Sequence, residues 1–351
     1  MMETATQRPP RITQTEIARR ANVSQGVVSA VLSGKPSPIR VSAAVRDRVL
    51  RAAMESGYRP NSSARAMRTG LYHNLGYFLD TAPGAMEEND FPEFRAGVFD
   101  AASARDFFVS LIRLPNRDFV KNPIPKAFRE AHLDTLILNN MGGLTPELQQ
   151  AILTSGFPIV YLNEKHDTNA VYFDDYEDTR MLTEYVIQRG YKRIAFFAEN
   201  TRRPQHYSEQ LRQAAFIATM QAHRLAPEVQ RWHFREERTQ IINWLRSAQR
   251  PQAVLCYRDR DALTLQSCAT EAGLRIPQDL AVASASNEQR LDDYFVVPLT
   301  TLVQPRYDAA VAAVHMALDL VLDRKIATRP AKVYRATLRE GESVPVRPVS
   351  R

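Results

Sequence analysis

The stretch that decides the first part of the fold is Thr13-Gln14-Thr15-Glu16-Ile17-Ala18-Arg19-Arg20-Ala21-Asn22-Val23-Ser24. Its Thr-x-x-Glu start is a capping box, in which the hydroxyl and the carboxylate accept hydrogen bonds from unpaired backbone N–H groups. Ile17, Ala18 and Ala21 then recur at the spacing of one helix face. Asn22 tolerates the left-handed conformation that a tight corner requires. The stretch therefore predicts a short helix that ends in a tight turn.

Two more helices are predicted downstream of this turn. Ser24 is a suitable cap for a second helix with Val28, Val31 and Leu32 on its inner face, and Ser42 is a suitable cap for a third. The third helix is expected to bury four apolar residues, Val45, Val49, Leu50 and Ala53. Small residues allow the first two helices to cross closely through a short turn. Residues 12–59 therefore predict a helix-turn-helix domain with a supporting third helix.

The positive charge of the chain is concentrated in the same region. Residues 1–70 contain 12 Lys and Arg against 4 Asp and Glu, whereas the remaining 281 residues contain 34 against 35. A compact, basic helical module is typical of proteins that bind the phosphate backbone of nucleic acids. The alternative for a charge excess taken alone is a solvated charged face.

Several motifs in this region closely resemble the lactose/galactose-repressor family of bacterial transcriptional regulators. They are the run from Thr15 to Ser24, then Val28-Ser29, Val31-Leu32, Tyr58-Arg59-Pro60-Asn61 and Ala64-Arg65. The resemblance implies that residues 60–71 contain a hinge helix that orders on DNA and inserts an apolar side chain into the minor groove. Met67 occupies the inserting position, and a flexible apolar side chain is able to unstack a base step. The alternative is that Met67 is a plain linker residue.

From residue 72 onward, short apolar strands alternate with amphipathic helices, which predicts parallel sheets covered on both faces. The predicted strands are Leu75–Asp80, Phe107–Ile112, Thr135–Asn139, Ile159–Asn163, Ala170–Phe173, Arg193–Ala198, Val229–His233, Ala253–Tyr257 and Leu280–Ala285. Because nine strands exceed a sheet of mean size, we expect two Rossmann-like α/β subdomains with a cleft between them.

The resemblance continues through this region and implies a periplasmic-binding-protein-like domain over residues 72–351. Further matches are Tyr172–Asp175, Gly190–Ala195, Ile276–Leu280 and Leu299–Pro305. Subdomain one is expected to comprise 72–163 and 300–328, and subdomain two 164–299 and 329–351. Residues 1–11 are expected to be disordered.

Composition and motifs argue against an enzyme, a membrane protein or a disulfide-stabilised secreted protein. The sequence has no long apolar run, no secretory signal, no phosphate-cradling glycine loop and no zinc-spaced cluster, so we expect no cofactor and no metal. Cys256 and Cys268 are interpreted as buried hydrophobes in a cytoplasmic, nucleoid-associated protein. Five scattered histidines are assigned to the surface or to local structure: His132, His166, His206, His223 and His233.

The resemblance implies a homodimer that binds a palindromic operator, most simply as a repressor, although activation stays open. It places Gln25, Gly26 and Ala30 at base-reading positions, and glutamine is able to make bidentate bonds to adenine. The predicted DNA-binding residues are Thr13, Thr15, Ser24, Gln25, Gly26, Ser29, Ala30, Arg40, Asn61, Ala64, Met67 and Arg68. A periplasmic-type ligand-binding protein without DNA regulation is the alternative.

The predicted site for a small-molecule effector departs from the family pattern. Its candidate residues are Asp80, Phe91, Asn163, Arg212, Arg258, Ser286 and Gln304. Arg212 matches an arginine that the family directs into its cleft, whereas Arg258 and Ser286 replace side chains that suit neutral sugars. Paired guanidinium groups suit carboxylates or phosphates, so we expect an anionic effector held by Arg212 and Arg258. The alternative is that Arg258 pairs with Asp259 or Asp261 and that the cleft is vestigial.

Overall fold

A computed structural model describes most of the chain, namely residues 12–33, 38–79, 91–113, 130, 132–139, 146–200, 206–323 and 325–347. The chain divides after Tyr72 into two compact units, which we call the headpiece (residues 1–72) and the body (residues 73–351). The expected disorder of residues 1–11 and the predicted strand end at Asp80 lie outside the described residues.

The described headpiece consists of four short helices: α1 (Gln14–Ala21), α2 (Gln25–Ser33), α3 (Ala43–Glu55) and α4 (Ser62–Thr69). A small apolar core joins the first three and includes Ile17, Ala18, Ala21, Val28, Val31, Val49 and Ala53. The corner between α1 and α2 contains Asn22 at a φ of 48°, in the left-handed region. The predicted helix-turn-helix with a supporting third helix is confirmed.

Two local predictions in the headpiece are wrong. The hydroxyl of Thr13 accepts a hydrogen bond from the N–H of Glu16 at 3.3 Å, as expected. The carboxylate of Glu16, however, accepts bonds from the guanidinium groups of Arg19 and Arg20, so only half of the capping box forms. Leu50 is 45 % exposed because α3 directs Val49, about 100° away on the helix, into the core.

Twelve strands of the body form two six-stranded sheets. The first sheet contains β1 (Asn74–Leu79), β2 (Phe108–Arg113), β3 (Thr135–Asn139), β4 (Ile159–Leu162), β5 (Ala170–Phe173) and β11 (Lys332–Tyr334), in the order β11-β5-β4-β3-β1-β2. The second contains β6 (Ile194–Glu199), β7 (Glu228–Trp232), β8 (Ala253–Cys256), β9 (Ala281–Ser284), β10 (Thr300–Val303) and β12 (Thr337–Arg339), in the order β12-β10-β9-β8-β6-β7. All described strand pairs are parallel except β10 with β12. The two-subdomain α/β prediction is confirmed.

The body helices follow the predicted alternation. They are α5 (Pro92–Ser103), α6 (Pro146–Thr154), α7 (Asp175–Gln188), α8 (Tyr207–Ala222), α9 (Arg238–Arg246), α10 (Asp259–Glu271), the 3-10 helix Gln289–Tyr294 and α11 (Arg306–Leu322). Helices α5 and α11 pack closely, since a Cβ added at Gly97 would lie 2.5 Å from the carbonyl oxygen of Tyr307. Glycine is therefore required at that crossing. None of the described helices combines the length and apolar character needed to cross a bilayer.

The chain passes between the two sheets three times, which corrects the predicted subdomain boundaries. Strands β5 and β11, expected in subdomain two, belong to the first sheet, whereas β10, expected in subdomain one, belongs to the second. The physical reason is pairing: Val171 of β5 pairs with Leu162 of β4, and Thr300 of β10 pairs with Ala283 of β9. The crossings therefore lie just after Phe173, just after β10 and between β11 and β12.

Candidate nucleic-acid interface and ligand cleft

The amino end of α2 presents the residues that were assigned to base reading. Ser24, Gln25 and Gly26 are exposed, and Ser29 and Ala30 are half-buried about one turn later. The hydroxyl oxygen of Ser24 caps the helix, which leaves the hydroxyl proton for an outside acceptor. Because the first N–H groups of a helix lack intrahelical partners, this end of α2 suits contact with polar or anionic groups.

Gly26 is not required by packing. A Cβ added there would lie 3.5 Å from Cδ1 of Ile39 and 3.8 Å from the hydroxyl oxygen of Ser24, which are ordinary contacts. The glycine therefore leaves a bare patch on the exposed helix end, where a side chain would fit. Three further predicted contact residues, Thr13, Thr15 and Arg40, are also exposed on the headpiece.

Helix α4 presents the predicted hinge residues. The side-chain oxygen of Asn61 caps it by accepting the N–H of Ala64 at 3.3 Å. Ala64, Met67 and Arg68 are all exposed, and their i, i+3, i+4 spacing places them on one helix face. Met67 is 90 % exposed, which is unusual for a large apolar side chain. The hinge segment therefore offers an uncovered apolar side chain beside a cationic one.

The body contains a cleft where the carboxyl ends of strands from both sheets meet. Six of the seven predicted effector residues line one cavity there: Phe91, Asn163, Arg212, Arg258, Ser286 and Gln304. The seventh, Asp80, lies outside the described residues. Sequence reasoning missed other lining residues, namely His206, Ser208, Tyr257, Glu288 and Arg306. In open α/β sheets, ligands bind at this end of the strands.

Arg212 is committed to partners within the protein. Its Nε and Nη2 donate to Oδ1 of Asp175 at 2.8 and 2.6 Å, and its Nη1 donates to the carbonyl oxygen of Tyr257 at 2.8 Å. Both charged side chains are almost fully buried, at 5 % exposure for Arg212 and 2 % for Asp175. Gln304 donates to the same Asp175 oxygen at 3.3 Å. The charge of Arg212 is therefore already paired.

Arg258 is paired as well. Its Nε donates to Oδ1 of Asp261 and its Nη2 to Oε2 of Glu199, each at 3.0 Å. Burial raises the pKa of Asp261 to about 6, although the adjacent Arg258 acts in the opposite direction. Arg258 therefore pairs with Asp261 in the structure, as the alternative to anion binding by Arg258 predicted.

Arg306 enters the same cleft at the start of α11. It is 3 % exposed and donates to neutral acceptors: the carbonyl oxygen of Asn287 at 2.6 Å, the hydroxyl of Ser286 at 3.0 Å and Oε1 of Gln304 at 2.8 Å. Its guanidinium carbon lies 4.2 Å from the ring centre of Phe91, a cation–π distance. The only sequence signal was its position two residues after Gln304.

His206 links the two sides of the cleft with an uncharged ring. Its Nε2 lies 2.7 Å from the backbone oxygen of Asn163, and its Nδ1 lies 2.7 Å from the hydroxyl of Ser208. Because a carbonyl only accepts, Nε2 carries the proton and Nδ1 accepts from Ser208. Burial lowers the pKa of His206 to about 4, which keeps the ring neutral near pH 7. The ring also caps α8 by accepting the N–H of Ser208 at 3.4 Å, which agrees with the assignment of His206 to local structure, but its position in the cleft was not predicted.

The cleft is nearly filled by its own side chains. The cavity measures about 40 Å³, which is room for about three water molecules. A larger cavity of about 370 Å³ lies at the opposite edge of the second sheet, lined in part by Arg193, Arg250 and Pro277. These residues stand near the amino ends of parallel strands, where ligands of such sheets rarely bind. We therefore take the cleft as the candidate ligand site.

The described residues provide no group of three or more His, Cys, Asp or Glu side chains that could hold a metal ion. The thiols of Cys256 and Cys268 are buried and free, and burial raises the pKa of both. A thiol is reactive as the thiolate, so neither side chain is suited to nucleophilic chemistry.

Comparison with known proteins agrees with this arrangement. A model of the lacI family of bacterial regulatory proteins matches residues 13–61, and a periplasmic binding protein-like domain model matches residues 183–344. The chain is 24% identical to the NTD biosynthesis operon regulator NtdR of Bacillus subtilis (strain 168), over 91% of this chain and 97% of that protein. It is 26% identical to the HTH-type transcriptional repressor PurR of Klebsiella pneumoniae subsp. pneumoniae, over 95% and 98%.

The fold comparison gives the same result. The Lac repressor dimer bound to operator and the anti-inducer ONPF aligns with a TM-score of 0.76 at 20% sequence identity, covering 96% of this chain and 100% of that one. A helix-turn-helix headpiece followed by a two-sheet α/β body defines a class of DNA-binding transcriptional regulators. The chain belongs to the lacI family of bacterial regulatory proteins.

Proposed function

We propose that the protein represses transcription by binding a palindromic operator as a homodimer, and that a small molecule in the cleft of the body modulates this binding. The observation that carries the proposal is the exposed amino end of α2, with Ser24, Gln25 and Gly26, on the basic headpiece. The second helix of a helix-turn-helix reads the major groove with this end. We propose no enzymatic role and a cytoplasmic site of action on chromosomal DNA.

Base reading in this proposal rests mainly on Gln25. Its amide is able to donate to and accept from the edge of adenine. Ala30, half-buried one turn later, and the bare position at Gly26 would permit close apolar contact, for instance with a thymine methyl group. Phosphate contacts would come from the exposed hydroxyl and guanidinium groups of Thr13, Thr15, Ser24 and Arg40, together with the half-buried hydroxyl of Ser29.

Helix α4 would add contacts in the minor groove. Met67 would insert between base steps, Arg68 would meet phosphate or the groove floor, and Asn61 and Ala64 would lie on the DNA side. This role is supported by the 90 % exposure of Met67, since water is an unfavourable environment for a long apolar side chain.

A homodimer is supported by large apolar side chains on the surface of the body. Phe108 and Leu111 on β2, the terminal described strand of the first sheet, are 70 % and 47 % exposed. Tyr294 and Val296, after β9, are 70 % and 85 % exposed. Covering such groups favours association, and two headpieces reach more phosphates than one. The protein aligned above is likewise a dimer.

The experiment that tests the proposal is a selection from random duplex DNA, followed by gel shifts. The intact protein should select a palindromic site of about 14–20 base pairs, whose affinity falls steeply with salt. A fragment that begins at Leu71 omits the headpiece helices, and it should remain folded but lose DNA affinity. The proposal fails if the intact protein selects no sequence, or if the fragment binds the selected site equally well.

A further inference from the structure

We propose that the cleft binds its small molecule through a single carboxylate group, and that Arg306 is the residue that holds this group. The inference rests on the proposed effector function of the cleft and names the class of ligand. It replaces the expectation that Arg212 and Arg258 hold an anion, because both of those side chains already have carboxylate partners.

The first step is the difference in charge pairing among the three cleft arginines. Arg212 pairs with Asp175, and Arg258 pairs with Asp261 and Glu199. Within the described part of the chain, Arg306 forms no ion pair and donates only to a carbonyl, a hydroxyl and an amide oxygen. Of the three charges, that of Arg306 is therefore the one that an incoming anion could pair.

The second step concerns the burial of this charge. A guanidinium stays protonated in proteins, and a buried charge without a paired partner carries a large desolvation penalty. Burial lowers the pKa of Arg306 to about 10, although the more distant carboxylates of Glu93, Asp259 and Glu288 act in the opposite direction. A direct partner at hydrogen-bonding distance would relieve this penalty.

The third step separates a carboxylate from a phosphate. Glu288 lines the same cavity and is 4 % exposed, so a dianionic group beside Arg306 would meet a carboxylate in a poorly hydrated site. A planar monoanion suits the guanidinium fork, whose position is fixed by the ring of Phe91 beneath it. We therefore infer one carboxylate on a molecule that is otherwise neutral or cationic.

The fourth step links ligand binding in the cleft to the relative arrangement of the two subdomains of the body. Arg306 begins α11, which packs on the first sheet, whereas its acceptors Ser286 and Asn287 follow β9 of the second sheet. A carboxylate that accepts from Arg306 would replace some of these bonds between subdomains. The ligand would thereby have different affinities for different subdomain arrangements, which a regulatory effect requires.

The test uses acetate, the size of which suits the small cavity, and acetamide as its neutral isostere. Thermal unfolding of the full chain is followed in each, with sodium chloride holding the ionic strength constant. Acetate should raise Tm saturably, by about 2–4 °C near ten times its Kd, and acetamide should not. Inorganic phosphate at equal concentration should raise Tm less than acetate.

The variants assign the effect to a residue. Arg306→Gln should abolish the difference between acetate and acetamide, whereas Arg180→Gln, which removes a half-buried arginine on α7 outside the cleft, should retain it. If Arg306→Gln does not fold, the comparison of acetate with acetamide and phosphate in the wild type decides the ligand class by itself. Equal shifts by acetate and acetamide, a larger shift by phosphate, or persistence of the difference in Arg306→Gln would each overturn the proposal. Binding of the selected operator is measured without acetate, so its loss or survival reports on the proposed function separately.

Discussion

The guanidinium of Arg212 donates two hydrogen bonds to a single oxygen of Asp175, at 2.8 and 2.6 Å, and both side chains are nearly inaccessible to solvent. Asp175 begins α7 directly after the chain leaves the first sheet, and Gln304, at the second crossing, donates to the same oxygen. The pair therefore ties α8 to two of the three crossings between subdomains. We infer a structural role for Arg212 at the crossings.

Replacing Asp175 by Asn should destabilise the body strongly, because the charge of Arg212 would remain buried without a partner. The expected cost is about 3–5 kcal/mol, measured as a shift of the urea transition of the body. Glu177→Gln removes a partner of Arg180 in a solvent-accessible ion pair and should cost less than about 1 kcal/mol. A cost for Asp175→Asn no larger than this control would contradict the assignment.

Met67 gives a prediction on DNA binding. Met67→Asp should lower affinity for the selected operator by a few kcal/mol, because the wedge and the associated bend are lost. Affinity for random duplex should change little, since Arg65 and Arg68 remain. Met54→Asp is a matched control, because Met54 is also exposed, at 79 %, but lies on α3. Gel shifts on both DNAs decide it: equal losses on operator and random duplex would show that Met67 is no wedge.

The headpiece could be predicted from sequence because its signals are local. Helix caps, the corner residue Asn22 and the spacing of apolar residues each act over a few positions. Helices α1, α2 and α3 could therefore be predicted directly from the sequence. Leu50 was wrongly predicted to be buried, because the sequence alone does not show which of the adjacent apolar residues Val49 and Leu50 faces the core. Among the strands, β10, β11 and β12 were not predicted; β11 and β12 have only three residues each, which is too short for a periodic signal.

The cleft was only partly predictable for a different reason. Six of the predicted effector residues line one cavity because the carboxyl ends of parallel strands converge there. Pairing within the cavity, in contrast, depends on contacts between residues far apart in sequence, such as Arg258 with Glu199. Arg306 follows a proline at a helix start, a position where an arginine is usually solvated. Only the fold shows that it is buried.

Asp259 gives a prediction on pH dependence. Its carboxylate is buried at the start of α10 and accepts the backbone N–H groups of Glu288 and Arg260. Burial raises the pKa of Asp259 to about 7, against these hydrogen bonds. The folded state then retains a proton that the unfolded chain loses, so this contribution to stability is complete below about pH 4 and lost as the pH rises through about 7.

Between about pH 5 and about pH 8, the slope of Tm against pH should therefore be more negative in the wild type than in Asp259→Asn. His206, whose pKa is lowered to about 4 by burial, contributes with the opposite sign in both proteins and does not affect this difference. Asp261, with a pKa raised to about 6 by burial, contributes with the same sign and should leave a residual slope. Asp279 serves as the control, because hydrogen bonds from Arg275 lower its pKa and keep it ionised throughout. Asp279→Asn should preserve the wild-type slope, and an equal slope in Asp259→Asn would contradict the prediction.

Gln25 and Arg40 should separate base reading from phosphate contact. Gln25→Ala should cost about 1–3 kcal/mol on the selected operator and relax the preference at one base pair in each half-site, symmetrically if the protein is a homodimer. Arg40→Ala should weaken binding to all sequences alike and reduce the salt slope by about 1 per protomer. Repeating the selection and the salt titration with both variants measures each effect. A uniform loss in Gln25→Ala with an unchanged preferred sequence would show that the amide of Gln25 contacts the backbone of DNA and leaves the bases unread.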